Sequence, residues 1–166
     1  HTGSLHPDQG LFFTGDLGGS GMVWDLRTGK GVYEISQSNS ILCSDFAPNG
    51  FELAVGGKNN MISIFDLRRK KELKRIPAHL KLISDLKYQE HGLFLASASH
   101  DNLIKLWHGM DYTPLPVDNL MEQHKITSID LKDGKLAVTG IDRKWSMLIN
   151  KIKYKQKEDN GVREEN

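Results

Sequence analysis

Residues 79–107 of the chain read HLKLISDLKYQEHGLFLASASHDNLIKLW. Three short apolar segments lie in this stretch, at Ile83–Tyr88, Leu93–Ala98 and Leu103–Trp107, and turn residues separate them. Short apolar runs bounded by turn residues are typical of β-strands, whereas an amphipathic helix needs a longer stretch with apolar residues three and four positions apart. The stretch therefore predicts three consecutive antiparallel strands.

The same unit recurs along the chain. A large apolar residue ends each recurrence, at separations of 41, 42 and 41 residues: Trp24, Phe65, Trp107 and Leu148. Turn glycines provide a second set of markers, at separations of 40, 42 and 42 residues: Gly10, Gly50, Gly92 and Gly134. A fixed period of about 40 residues is typical of repeat architectures, in which each unit packs on its neighbours. The period divides the chain into repeats near 1–30, 31–71, 72–112 and 113–150.

A fourth strand is predicted after three of the large apolar markers, at Gly31–Ile35, Glu72–Ile76 and Thr113–Val117. Four short antiparallel strands per repeat are typical of one blade of a β-propeller. The expected fold is therefore all-β, with about four blades and no helix of three turns. Residues 151–166 are expected to form either an outer strand, from the alternation at their start, or a disordered charged tail.

Composition limits the possible functions. The chain has 166 residues, of which 38% are hydrophobic, and a net charge of +1. Such a charge creates no global field that would attract nucleic acid or an anionic membrane, so any such binding must be local. The apolar runs fall far short of the roughly 20 residues that a membrane helix needs. The single cysteine, Cys43, has no partner for an internal disulfide, which is typical of proteins in the cytosol or nucleus.

Two recurring features carry a family resemblance. They are an apolar-aspartate pair at the end of a third strand and a histidine ahead of a turn aspartate: Trp24-Asp25, Phe65-Asp66, Ala78-His79 with Asp101, and Gln123-His124 with Asp142. With these residues the chain resembles the WD40 repeat family over positions 2–150. The resemblance implies a WD40 β-propeller, whose rings usually hold seven blades.

About four repeats are fewer than such a ring holds, and the first repeat begins part-way through a strand, near Thr2–Leu5. We therefore expect a C-terminal portion of a longer propeller. A self-contained ring of four blades is one alternative. Pairing of the open edges between two chains is another, because unpaired sheet edges and exposed blade faces favour association.

The resemblance also implies a buried hydrogen-bonded network in each blade. One repeat keeps the full set of residue types, namely His79, Ser97 or Ser99, Asp101 and Trp107. The position of Asp101 is taken elsewhere by Gly18, Asn59 and Asp142, and that of Ser97 by Thr14, Val55 and Val138. We expect the other blades to depend on apolar packing instead.

Catalytic and metal sites are not favoured by the sequence. His79, Ser97 and Asp101 are the residue types of a nucleophile triad, but the repeat assigns them to a structural network. No pair among the seven histidines has the spacing of a zinc motif, and one cysteine cannot form a usual zinc site. The glycines of residues 15–21 do not fit a phosphate-binding loop. We expect no enzyme activity, cofactor, metal or small-molecule substrate; a hydrolytic propeller enzyme is a minor alternative.

A basic run is the most informative polar cluster. Six cations lie between positions 68 and 75 with only Glu72 opposing them: Arg68, Arg69, Lys70, Lys71, Lys74 and Arg75. One interpretation is a solvated hairpin whose lysines protect a sheet edge. The other is a contact for RNA phosphate or for an acidic partner. Base stacking has no support, because no aromatic residues are interleaved with the cations.

A finer resemblance rests on five segments in order: GMVWDLRTGK at 21–30, FAPNG at 46–50, DLRR at 66–69, IPAH at 76–79 and HGLFL at 91–95. Together they resemble the family of WD-repeat subunits of the U4/U6 small nuclear ribonucleoprotein. The resemblance implies a non-enzymatic nuclear scaffold of the U4/U6 particle and the tri-snRNP in pre-mRNA splicing. Implied partners are a second pre-mRNA-processing factor, a cyclophilin-type isomerase and, indirectly, U4/U6 snRNA. The alternative is a WD-repeat adaptor of a ubiquitin ligase or a chromatin assembly.

Overall fold

The computed structural model describes residues 1–116, 120–121, 124–133, 135–141 and 145–149. Every regular element within these ranges is a β-strand, so the all-β prediction is confirmed. None of the described residues forms a helix long and apolar enough to cross a membrane.

The strands form four antiparallel sheets in chain order. The first sheet holds β1 (Thr2–Leu5), β2 (Leu11–Gly15), β3 (Ser20–Asp25) and β4 (Lys30–Ser36). The second holds β5 (Ile41–Phe46), β6 (Glu52–Gly57), β7 (Met61–Asp66) and β8 (Lys71–Pro77). The third holds β9 (Ile83–Tyr88), β10 (Phe94–Ser99), β11 (Leu103–His108) and β12 (Leu120–Met121). The fourth holds β13 (Ile126–Lys132), β14 (Lys135–Gly140) and β15 (Trp145–Ile149).

The sheets do not coincide with the sequence repeats. Each outer strand pairs with the third strand that precedes it, so the first sheet ends at Ser36 and the second at Pro77, rather than near 30 and 71. The reason is local: a tight hairpin joins the third strand to the fourth and sets their pairing. In the first two sheets the Asp at the end of the third strand holds this hairpin. Asp25 accepts hydrogen bonds from the N–H groups of Arg27 and Thr28, at 2.8 and 3.1 Å.

The outer strand of the third sheet differs from the prediction. Residues 113–116 form no strand; Pro114 makes one isolated bridge to Trp107, and β12 instead lies at Leu120–Met121, opposite Leu103 and Ile104. Pro114 and Pro116 have no N–H to donate to a ladder, which prevents continuous pairing there. Val117, the end of the predicted strand, lies outside the described residues, as does the segment 151–166.

Three apolar clusters fill the spaces between successive sheets. The largest joins the second and third sheets and includes Ile62, Ile64, Ile83, Leu95 and Trp107. The cluster between the first two sheets includes Phe13, Val23, Leu53 and Phe65, and the cluster between the last two includes Ala96, Ile104 and Leu136. The first strands of neighbouring sheets, β1, β5, β9 and β13, lie side by side. Each sheet interior is thus buried by its neighbours, as in the blades of a propeller.

The topology gives the molecule two ends. We call one the connection end; it carries the β2–β3, β6–β7 and β10–β11 turns together with the segments that lead from one sheet to the next. The opposite hairpin end carries the β1–β2, β5–β6 and β9–β10 turns and the hairpins that join third to fourth strands. At the hairpin end Gly50 and Gly92 have positive φ, of 72° and 71°, as turn glycines do. In the first sheet the positive φ falls on Gln9 and not on the predicted Gly10.

Candidate interaction surfaces

The structure brings His79, Ser97, Asp101 and Trp107 together in the third sheet. The indole Nε1–H of Trp107 donates to Ser97 Oγ at 2.9 Å, and Ser97 Oγ lies 2.8 Å from His79 Nε2. The other ring nitrogen, His79 Nδ1, lies 3.0 Å from a carboxylate oxygen of Asp101. The backbone N–H of Leu80 also donates to Asp101, at 2.9 Å. The four side chains therefore form one continuous chain of hydrogen bonds.

A neutral His79 satisfies this chain. Burial lowers the pKa of His79, and this effect outweighs the nearby charge of Asp101, which raises it. With the proton on Nδ1, His79 donates to Asp101 and accepts from Ser97, and Ser97 accepts from Trp107. Burial raises the pKa of Asp101, but the hydrogen bond from the Leu80 N–H and the contact with His79 lower it. Together the lowering effects are larger, so the pKa of Asp101 lies below its usual value. Every donor then has an acceptor.

The same geometry leaves no route for substrate. Ser97 is fully buried, and His79 and Trp107 are nearly so, so the hydroxyl that a triad would use as nucleophile cannot meet a reactant. The neighbouring Ser99 is also buried, and its Oγ donates to the carbonyls of Lys81 and Leu82 at 3.2 and 2.8 Å. No group of three or more potential metal ligands exists within the part of the chain that the structure describes.

The other sheets keep only parts of this network. In the first sheet Trp24 Nε1–H donates to Thr14 Oγ1 at 2.9 Å, which repeats the pairing of Trp107 with Ser97, but this bond is exposed. In the second sheet Val55 is buried within the apolar cluster shared with the first sheet. In the fourth sheet Val138 is likewise buried among apolar side chains, while the predicted turn residue Asp142 lies outside the described residues.

The basic run lies on the β7–β8 hairpin and along the outer strand β8. Arg68 and Arg69 approach Asp66 Oδ2, at 3.5 and 3.7 Å, and the guanidinium of Arg68 stacks 4.1 Å above the ring of Phe51. Arg75 makes two hydrogen bonds to Glu72, at 2.8 and 2.7 Å. Three of the six cations are therefore paired with carboxylates on their own hairpin.

Two of the lysines contact neighbouring sheets. Lys70 Nζ donates to the carbonyl of Val32 in the first sheet at 2.8 Å, and Lys74 Nζ donates to that of Asp111, in the loop that follows β11 of the third sheet, at 2.5 Å. Lys71 begins β8 with an exposed side chain. The hairpin is thus pinned between its neighbours, and much of its donor capacity is used within the chain. The sequence could not reveal this, because all the contacts to other sheets are about 40 residues away.

A second polar network was missed from the sequence. Tyr88 and Tyr112 have hydroxyls 2.9 Å apart, and the Tyr112 hydroxyl donates to Glu52 at 2.7 Å, which links the third sheet to the second. Tyr112 has a φ of 57°, which is uncommon for a bulky residue. A cavity of about 390 Å³ lies beside Tyr88 at the hairpin end, between Pro48 and Met110. The sequence could not predict these hydrogen bonds, because they join residues 24 and 60 positions apart.

Also missed was a cluster of two lysines and a histidine at the connection end, namely Lys81, His100 and Lys125. They are single residues in three separate loops, so no charge run marks them in the sequence. Burial lowers the pKa of His100, and the positive charges of Lys125 and Lys81 lower it further. The backbone N–H of His100 donates to the carbonyl of Leu82, next to Lys81, at 3.2 Å. Strand β13, which follows Lys125, lies beside β9, which follows Lys81.

Two of the repeats match the model of a known repeat family. The model of the WD domain, G-beta repeat (WD40), matches residues 29–66 and 70–108. Pre-mRNA-processing factor 19 homolog 2 of Arabidopsis thaliana is 24% identical over 107 residues, which cover 63% of this chain and 20% of that protein. Transcription factor unc-37 of Caenorhabditis elegans is 28% identical over 147 residues, which cover 87% of this chain and 23% of that protein.

The fold has a solved counterpart in the WD40 repeats of RRP9. That structure superposes with a TM-score of 0.78 at 19% sequence identity, over 89% of this chain and 50% of the other. The chain thus spans about a fifth of the length of the two curated relatives and half of the solved one. Repeats, sheet order and superposition agree: two of the repeats match the WD40 model, and the sheets form part of a β-propeller.

Proposed function

We propose that the chain is a non-catalytic WD40 scaffold that docks other proteins within the U4/U6 small nuclear ribonucleoprotein and the tri-snRNP, in the nucleus. The observation that supports a scaffold function is that the hydrogen-bonded network of the third sheet is buried. The His79, Ser97 and Asp101 set, which offers triad chemistry by residue type, is enclosed and internally satisfied. The loops at the two ends of the sheets remain accessible to partners.

Two observations support a place in pre-mRNA splicing. The five segments between residues 21 and 95 resemble the U4/U6 WD-repeat subunits. A pre-mRNA-processing factor, the homolog of factor 19 from Arabidopsis thaliana, matches 63% of the chain. Under this proposal the partners are a second processing factor and a cyclophilin-type isomerase, and U4/U6 snRNA is reached through them.

A second candidate is an adaptor in a transcription or chromatin assembly. Its support is the match of a transcription factor, unc-37, to 87% of the chain at 28% identity. The two candidates share the docking function and differ in the complex that is joined. The proteins and RNAs that copurify with the chain distinguish the two candidates.

The experiment is affinity purification of the tagged full-length protein from nuclear extract, followed by quantification of snRNAs and bound proteins. Enrichment of U4 and U6 snRNA with splicing proteins, over extract that lacks the tagged protein, supports the first candidate. Enrichment of transcription or chromatin proteins without these RNAs contradicts it and supports the second.

The basic run at residues 68–75, here called the basic hairpin, remains a predicted contact for RNA phosphate or an acidic partner. Replacing Arg68, Arg69, Lys70 and Lys71 with alanine should weaken association and flatten its dependence on salt if the contact exists. Recovery of U4/U6 particles that is unchanged by this variant would reject the contact and leave the solvated hairpin as the interpretation.

A further inference from the structure

A compact positive surface lies at the connection end, where the third and fourth sheets meet. Lys81 precedes β9, His100 opens the β10–β11 turn, and Lys125 precedes β13. Both lysine side chains are exposed. Their charges act together on His100, whose pKa is lowered first by burial and then by Lys125 and Lys81.

The described part of this surface holds no free carboxylate that would cancel its positive charge. Among the described residues 78–82, 100–102, 124–125 and 141, the one carboxylate is Asp101. Its oxygens are already bonded to His79 and to the N–H groups of Leu80 and Leu103. This contrasts with the basic hairpin, where Asp66 and Glu72 pair with the arginines.

Two aliphatic side chains flank the lysines. Leu80 is adjacent to Lys81 and is 84% exposed, and Ile141 is 54% exposed. The backbone N–H of Ile141 donates to the carbonyl of Lys125 at 3.0 Å, which fixes these two residues side by side. A single exposed leucine needs no explanation. Here two exposed aliphatic side chains lie beside two exposed lysines that have no carboxylate partner among the described residues.

The loops that carry these side chains are held in place. Asp101 accepts the N–H of Leu80 at 2.9 Å, and Asn60 Nδ2 donates to the carbonyl of Leu80 at 3.4 Å. Ser99 Oγ holds the carbonyls of Lys81 and Leu82. A preorganised loop loses little conformational entropy when it binds a partner, so a small contact area can give useful affinity.

We propose that this surface, formed by Leu80, Lys81, His100, Lys125 and Ile141 and here called the seam surface, docks an acidic peptide segment that carries at least one aliphatic side chain. The inference rests on the proposed docking function and adds the place and the chemistry of one partner. Carboxylates of the segment pair with the two lysines, and its aliphatic side chain packs between Leu80 and Ile141.

The observations favour a peptide over a nucleic acid strand. The described residues of the connection end, 16–19, 37–40, 58–60, 78–82, 100–102, 124–125 and 141, include no Phe, Tyr or Trp. Strands of RNA or DNA are usually held by bases that stack on aromatic rings as well as by phosphate contacts. Aliphatic groups beside the cations fit a protein segment better.

The test begins with selection from a displayed library of random twelve-residue peptides on the full-length protein. Enriched sequences should combine Asp or Glu with Leu, Ile, Val or Met. The strongest sequence is then synthesised with a fluorescent label, and its affinity is measured by anisotropy. The double variant Lys81→Glu/Lys125→Glu should bind about 10-fold more weakly or worse, and Leu80→Ser should also weaken binding.

A matched control is available in the fourth sheet. Lys132→Glu/Lys135→Glu makes the same change in net charge at the exposed hairpin end of that sheet. Its affinity should remain within about twofold of the original, because distant exposed charges are screened by salt. All variants alter exposed side chains, and thermal melting verifies that they fold.

Several outcomes overturn the seam surface. They are enriched peptides without acidic residues, an unchanged affinity of the Lys81→Glu/Lys125→Glu variant, and an equal loss in the Lys132→Glu/Lys135→Glu control. A labelled uridine 12-mer that binds and loses affinity in the seam variant, while no acidic peptide does, overturns it in favour of phosphate recognition. Recovery of U4 and U6 snRNA without any acidic peptide binding overturns only the seam surface. Acidic peptide binding without these RNAs supports the seam surface and contradicts the assignment to the splicing particle.

Discussion

Trp24 and Trp107 occupy the same position in the first and third sheets, and their surroundings differ. Each donates its indole N–H to a hydroxyl across the strand, Thr14 or Ser97, at 2.9 Å. Yet Trp107 is 4% exposed and packs on the second sheet, whereas Trp24 is 37% exposed. The same local motif is therefore buried by a preceding sheet in one place and open to water in the other. The motif is a property of the strand, but its contribution to stability depends on the neighbouring sheet.

The most direct test of the difference between Trp24 and Trp107 is to replace each with alanine. Trp107→Ala should lower the free energy of unfolding by about 3–5 kcal/mol, because it leaves a cavity in the largest apolar cluster. Trp24→Ala should cost less than half as much, since part of the ring is already in water. Urea unfolding followed by far-ultraviolet circular dichroism measures both. Equal losses would show that the open face of the first sheet is covered in solution.

The polar network allows a second, smaller test. Asp101→Ala should cost about 1–3 kcal/mol, because it leaves His79 and the N–H of Leu80 without their buried acceptor. The control is Asp16→Ala in the turn of the first sheet, where Oδ1 accepts the N–H of Ser20 through an exposed bond. That change should cost under about 1 kcal/mol. Thermal melting compares the two variants, and a melting temperature unaffected by Asp101→Ala would contradict a structural role for this residue.

The stability contributions of Asp45 and Asp101 depend on pH in opposite directions, because the pKa of Asp45 is raised and that of Asp101 is lowered. Burial raises the pKa of Asp45 from 3.8 to about 6, against the opposing effect of the Tyr88 N–H, which donates to it at 2.7 Å, and of the charge of Lys87. Because the folded state holds this proton more tightly, the stabilisation is complete below pH 3.8 and is lost as pH rises through about 6. Asp101, with its lowered pKa, has the opposite sign and loses its contribution in acid.

Asp45→Asn keeps an acceptor for Tyr88 and removes the charge. At pH 7 this variant should be more stable than the original protein by roughly 1–2 kcal/mol, and at pH 4 the difference should vanish. Urea unfolding at a series of pH values measures the change. A stability difference that stays constant between pH 4 and pH 7 would show that Asp45 is not the group that titrates.

The sequence predicted the strands well where the pattern is local. β9 has the predicted bounds, Ile83–Tyr88, because apolar alternation and the flanking turns specify them without help from elsewhere. The prediction failed for residues 113–116, where two prolines remove backbone donors and the outer strand forms further along the chain. The outer strands predicted at Gly31–Ile35 and Glu72–Ile76 form β4 and β8, and each pairs with the third strand that precedes it.

The surfaces were less predictable than the strands. The run at residues 68–75 attracted attention because its cations are consecutive, but in the folded chain many of them meet acceptors on the hairpin or on neighbouring sheets. Lys81, His100 and Lys125 gave no signal in the sequence, since they lie in separate loops. Whether a cation is available to a partner depends on what folding places beside it.

By itself the amino-acid sequence determined the period of the chain and the all-β class. These depend on alternation, turns and short spacings, which act within a strand or hairpin. Only the tertiary structure decided which tryptophan is buried, which carboxylate has a raised pKa and which cations meet an acceptor among the described residues. Burial and electrostatic potential are sums over neighbours contributed by other sheets, so no local pattern can fix them.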